Sequence, residues 1–87
     1  MRKLGIKSVG LYANFEREGV QDLCDRIIAE LSARNVHIYA TQASDVRNQK
    51  VERLERRALL KTVELILVIG GDGTFLHAAT DLAGAAI

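Results

Sequence analysis

The chain has 87 residues, 48% apolar and 26% charged, with twelve Lys or Arg against eleven Asp or Glu for a net charge of +1. That length suits one small domain burying roughly 60–65% of its unfolded surface, and the charge balance argues against a bulk polyanion such as nucleic acid as partner. A single cysteine (Cys24), no proline and only two Phe and two Tyr leave no basis for an intramolecular disulfide, a cysteine-rich metal site, polyproline recognition or an aromatic stacking platform.

Lys7–Asn14 alternates Val9, Leu11 and Ala13 against Ser8, Gly10 and Tyr12, which predicts a first strand. Val20, Leu23, Cys24, Ile27, Ile28 and Leu31 then recur at helical spacing, with Asp22, Asp25, Arg26 and Glu30 mostly on the opposite face. Val36–Ala40 reads as a short second strand entered through an Arg34-Asn35 stop, and Thr41–Gln49 as a polar, flexible connector. Lys50–Val63 is predicted as a second helix, with Val51, Leu54 and Ala58 inward and Glu52 spaced for an ion pair with Arg56. The six Lys or Arg against three Asp or Glu from Thr41 to Val63 read as a solvated face, with a weak electrostatic contribution to binding anionic nucleotide as the alternative.

Leu65–Ile69 is a continuous apolar run, the pattern of a parallel strand covered on both faces and far too short to cross a bilayer. Phe75, Leu76, Ala79, Leu82 and Ala83 carry helical spacing again. Gly84 reads as the stop, and Ala85-Ala86-Ile87 as the opening of a fourth strand. The order β-α-β-α-β-α predicts an α/β, three-layer αβα, Rossmann-like parallel sheet with right-handed crossovers. Such sheets bind ligands outside the carboxyl ends of their strands, where both the loop after the first strand and Gly70-Gly71-Asp72-Gly73-Thr74 fall. With one cysteine and no signal-peptide pattern, a cytoplasmic location is expected.

The glycine segment is not a Walker A loop, since no Gly-Lys-Ser/Thr follows, nor the dinucleotide fingerprint, whose third glycine is missing. Gly70, Gly71 and Gly73 allow positive φ and let phosphate oxygens approach backbone N–H groups. Thr74 is placed to cap a helix starting near Phe75, aiming that helix's N-terminus at an anion. Asp72 repels phosphate and so needs its own reason to be there. It either accepts a proton from an attacking hydroxyl or holds a Mg²⁺ that travels with nucleotide phosphates. The structural alternative, Asp-Gly as a plain turn dipeptide, does not account for five ordered residues between a buried strand and an amphipathic helix.

Val68-Ile69-Gly70-Gly71-Asp72-Gly73-Thr74-Phe75-Leu76-His77-Ala78-Ala79 resembles the nucleotide-binding motif of NAD kinases. The Gly-Gly-Asp-Gly-Thr core is shared with diacylglycerol and sphingosine kinases, and phosphofructokinases carry a related version. Phe75-Leu76-His77 points towards NAD kinases, because lipid kinases more typically place an Asn-Glu pair after the threonine. The resemblance implies transfer of the γ-phosphoryl of ATP, carried with Mg²⁺, to the adenosine ribose 2′-hydroxyl of NAD. It implies Asp72 as general base, Asp72 and Gly73 as NAD contacts, Gly70, Gly71 and Thr74 in the phosphate-facing loop, and His77 and Asn14 as further nucleotide contacts. It also implies homo-oligomers and a second, β-rich domain, whose Asn-Glu or Asn-Asp pair occurs nowhere in this sequence. A lipid kinase and a nucleotide-binding fragment without activity are the competing expectations. His37 reads as a strand residue and Cys24 as a small apolar helix residue, neither with a function.

Overall fold

In the computed structural model, which describes residues 5–86, the alternating Ser8–Ala13 segment forms strand β1 near the middle of the molecule. It is followed by helix α1 (Val20–Ala33), β2 (His37–Thr41), β3 (Val51–Leu54), α2 (Arg56–Thr62), β4 (Leu65–Ile69) and α3 (Asp72–Ala86). The four strands make one sheet of order β3-β2-β1-β4, every pair parallel. The α/β, three-layer expectation is met, with one strand more than the sequence indicated.

Pleating sends alternate residues of β1 to opposite faces. Val9 and Leu11 pack under α1 in a buried cluster with Val20, Cys24, Ile28, Val36, Ile38, Ala40 and Val46. Cys24 has no exposed surface, and burial, then the nearby Asp25 charge, pushes its thiol pKa up. Of the helical apolar residues, Val20, Cys24 and Ile28 face the sheet, while Leu23 stays 45% exposed. The helix ends as the Arg34-Asn35 stop requires: Asn35 takes φ 61°, and the Val36 amide returns to the Leu31 carbonyl at 3.0 Å.

On the opposite face Gly10 lies beneath α2. A Cβ there would stand 2.8 Å from Ile66 Cδ1 and 3.1 Å from Leu59 Cδ2, so its bareness is what lets α2 sit down on the sheet. Leu59 is fully buried as a result.

Three expectations are corrected. The helix predicted from Lys50 begins only at Arg56, because Val51–Leu54 extends the sheet beside β2, from Ile38 opposite Val51 to Thr41 opposite Leu54. Glu52 and Arg56 are therefore not helical neighbours, and Arg56 pairs with Asp81 on α3 instead. The Thr41–Gln49 connector, expected to be flexible, is tied down. Val46 is buried in the core, and the Arg53 guanidinium donates to the carbonyls of Thr41 (3.0 Å), Ser44 (2.7 Å) and Val46. Gly84 does not stop α3, which runs on through Ala85 and Ala86; Ile87 of the expected fourth strand lies outside the described residues.

Helix α3 also rolls differently from the predicted stripe. Ala78 is buried, while Phe75 and Leu76 are 61% and 63% exposed. In this orientation the Tyr12 hydroxyl of β1 donates to Asp81 Oδ2 of α3 at 2.7 Å.

Candidate functional site

The chain leaves β4 through Gly70 at φ 150°, a backbone angle that side chains disfavour. A Cβ on Gly70 would also stand 2.5 Å from the Thr74 hydroxyl. Gly71 follows without a positive φ, and its carbonyl accepts from the amides of Thr74 (3.1 Å) and Phe75 (3.2 Å). Gly71 thus occupies the cap position and α3 starts at Asp72, three residues earlier than predicted. Thr74 is not the cap; its hydroxyl packs back against Gly70. The sharp turn at Gly70 brings the helix on at once, which places Asp72 and Gly73 in the first turn.

The loop after β1 is joined to this turn. The Asn14 amide donates to the Ile69 carbonyl at 2.9 Å. Asn14 Oδ1 accepts from the Glu16 amide at 3.0 Å, and the Asn14 carbonyl from the Arg17 amide at 3.3 Å. Its side-chain oxygen is thereby engaged in shaping the loop. Phe15 is half-buried against the core, and Gly19 completes the loop at φ 82°.

Between the two loops lies a cleft of about 570 Å³, walled by Ala13, Asn14 and Arg17 on one side and Gly71, Asp72, Gly73, Thr74 and His77 on the other. It sits at the carboxyl ends of β1 and β4, where α1 leaves towards one face and α3 towards the other, the crevice in which open parallel sheets hold ligands. All the sequence-predicted site residues meet here except Gly70, which shapes the turn behind it. Asp72, Gly73 and His77 are exposed, and Asn14, Gly71 and Thr74 half-buried. No backbone carbonyl among the described residues takes the amide hydrogens of Gly71, Asp72 or Gly73, so these donors remain for an anion. Nothing lies within 4 Å of where a Gly73 Cβ would stand, so the chain's own packing does not demand a glycine there.

A second cavity of about 420 Å³ adjoins the cleft over the ends of β1 and β2, and Ala13 and His77 border both. Its floor carries a network that the sequence did not disclose. Asp81 accepts from Tyr12 and, at 3.0 Å, from Arg56, and the Tyr12 and His77 rings meet edge to face at 6.2 Å. Burial alone would raise the Asp81 pKa, but the hydrogen bonds from Tyr12 and Arg56 and the Arg56 charge outweigh it and hold the carboxyl below its usual range. Burial and the Asp81 carboxylate push the Tyr12 phenol well above its usual value. These partners stand 69 and 25 residues apart in the chain, a separation over which no local pattern links them. Arg17 was likewise missed, being one basic residue in a charged loop.

No group of three or more His, Cys, Asp or Glu among the described residues could hold a metal ion. Among the described residues Asp72 is the single carboxylate lining the cleft, so these residues by themselves build no resident metal site. They suit instead a cation that arrives on phosphate oxygens and needs one carboxylate from the protein. No helix among the described residues is long and apolar enough to cross a membrane.

Residues 16–87 match the family described as the diacylglycerol kinase catalytic domain. Among curated proteins, the chain is 29% identical over 79 residues to an NAD kinase of Natranaerobius thermophilus, covering 90% of this chain and 28% of that protein. It is 32% identical over 75 residues to an NAD kinase of Hydrogenovibrio crunogenus, covering 82% and 26% respectively. For an NAD kinase of Saccharophagus degradans the values are 31% over 78 residues, 87% and 26%. The chain spans only about a quarter of the length of these relatives.

Proposed function

The chain belongs to the diacylglycerol kinase catalytic domain family, and on that premise we propose that it forms the nucleotide-binding part of an NAD kinase. The reaction is transfer of the γ-phosphoryl of ATP to the 2′-hydroxyl of the adenosine ribose of NAD. The observation that carries this reading is the cleft at the ends of β1 and β4. It puts one exposed carboxylate, Asp72, beside three backbone amides that no backbone carbonyl among the described residues takes.

Asp72 takes the proton of the ribose hydroxyl as its oxygen attacks the γ-phosphorus, and ADP leaves with the broken P–O bond. The amides of Gly71, Asp72 and Gly73 face phosphate oxygens, and the absence of a side chain at Gly73 lets the substrate approach the backbone closely. His77, exposed one turn into α3, supplies a contact for the dinucleotide. Mg²⁺ carried on the phosphates supplies charge neutralisation when bound. The sheet provides one wall of the site. Positioning both substrates, on which phosphoryl transfer depends, falls to the rest of the polypeptide, in keeping with the share of the relatives that this chain spans. Homo-oligomeric assembly and a cytoplasmic location belong to the same reading.

The family's name favours a second reading, phosphorylation of a lipid alcohol such as diacylglycerol. Phe75-Leu76 in place of an Asn-Glu pair after Thr74 and the curated relatives support the first. The full polypeptide is to be offered ATP and Mg²⁺ with NAD or with diacylglycerol in mixed micelles. NADP formation is expected, and phosphorylated lipid without NADP would overturn the reading.

A further inference from the structure

The glycine at position 71 has no conformational explanation, because its φ is not positive. What it has is a neighbour. A Cβ on Gly71 would stand 2.5 Å from Arg17 Nη1 and 3.7 Å from Arg17 Cζ, so the guanidinium rests on the bare backbone at that point. Arg17 is delivered there by the loop that Asn14 closes through its carbonyl and side-chain oxygen. Arg17 takes no part in the ion pairs Arg34–Glu30 and Arg56–Asp81. Its charge faces the same cleft as Asp72 and the unclaimed amides.

An anion entering this cleft meets the Asp72 carboxylate, and glycine amides alone offer no full positive charge against it. A planar guanidinium does, and its fork matches two oxygens of a phosphate. The hydroxyl to be deprotonated has to lie at Asp72, so the phosphorus it attacks lies next to it, in the cleft that Arg17 and Gly71 also line. We propose that Arg17 grips the terminal phosphates of the phosphoryl donor, and that position 71 is glycine so that this guanidinium can lie against the backbone. This rests on the cleft being a site of phosphoryl transfer from ATP, and it holds whether the acceptor is NAD or a lipid.

The test uses Arg17→Gln, Arg17→Lys, Gly71→Ala and the double variant Arg17→Gln/Gly71→Ala in the full polypeptide, with circular dichroism to confirm folding. Arg17 is exposed and Gly71 clashes only with a flexible side-chain tip, so all four are expected to fold. Arg17→Gln and Gly71→Ala should each raise the KM for ATP about tenfold, the order of a lost charge-assisted hydrogen bond at a solvent-facing site. The KM for NAD should stay within about twofold, with Arg17→Lys intermediate. The double variant should be no worse than Arg17→Gln, since Gly71→Ala acts by evicting Arg17. Binding of inorganic tripolyphosphate, followed by calorimetry, should weaken in parallel and does not depend on the acceptor. Wild-type protein that binds tripolyphosphate but makes no NADP would count against the acceptor assignment alone. An unchanged KM for ATP, a rise confined to the KM for NAD, additive effects in the double variant, or no tripolyphosphate binding by the wild type would each overturn the role of Arg17.

Discussion

On the α1 face of the sheet, β1 presents Val9 and Leu11 to Cys24 and Ile28, and every large side chain in that contact is apolar and buried. On the α2 and α3 face the same strand presents Ser8, Gly10 and Tyr12. Their contacts there are a hydrogen bond from Ser8 to the Thr62 carbonyl at 2.8 Å, a close approach to Leu59 and the Tyr12–Asp81–Arg56 network. The first face gains its stability from area removed from water, which is non-directional. The second is held by directional contacts that fix how α3 is rolled, and with it where Asp72 and His77 stand. The α1 face is thus purely apolar, whereas the α2 and α3 face combines the buried Leu59 with the directional contacts that bear on site geometry.

Substitutions that tell the two faces apart sharpen this contrast. The largest stability effect is expected for Ile28→Ala, which empties space in the α1 cluster and should cost about 2–5 kcal/mol by chemical denaturation. A cost under about 1 kcal/mol would break the claim that this face carries the fold. Gly10→Val comes next. Its branched side chain meets Ile66 and Leu59, and about 1–3 kcal/mol is expected as α2 lifts from the sheet.

Tyr12→Phe should cost least, about 0.5–1.5 kcal/mol, but it should change the response to pH. Asp81 has its folded pKa lowered by Tyr12 and Arg56 against the burial that raises it. Its contribution is therefore present above the ordinary aspartate value and is lost as acid takes the pH down through the folded value. The raised Tyr12 pKa works at the other end, since its contribution is full below the ordinary tyrosine value and is lost as the pH rises through the folded one. Thermal melts from pH 3 to pH 11 should show the wild type losing stability at both ends of that range relative to Tyr12→Phe/Asp81→Asn. Parallel curves would mean that the network does not hold α3.

The apolar face was legible in the sequence because its cause is local. Alternation in β1, the stripe through Val20, Cys24 and Ile28 and the run Leu65–Ile69 each report burial without knowledge of any partner. Segment β3 was not legible. Val51-Glu52-Arg53-Leu54 is as polar as a helix surface, and only its ladder with β2, ten or more residues away, makes it a strand. Arg53 hides in the same way: it reads as one more solvated charge until the fold sets it on three carbonyls. The site divides similarly. Gly70, Gly71, Asp72, Gly73 and Thr74 stand out in the sequence as a set, and the fold lines one cleft with all of them but Gly70. Local spacing puts the start of α3 three residues late, because nothing in it marks Gly70, at φ 150°, as the turn itself. Arg17 and the Tyr12–Asp81 bond depend on contacts between distant segments, which no spacing rule encodes.

Turnover by Asp72→Asn in the full polypeptide, with nucleotide affinities measured alongside, tests the central claim most directly. The side chain is exposed at the first turn of α3, so the fold should persist and ATP and NAD should bind within a few-fold of wild type. The rate of NADP formation should fall by about 10²–10⁴, the usual contribution of a positioned general base. Turnover within about threefold of wild type would remove Asp72 from the chemistry and contradict the account.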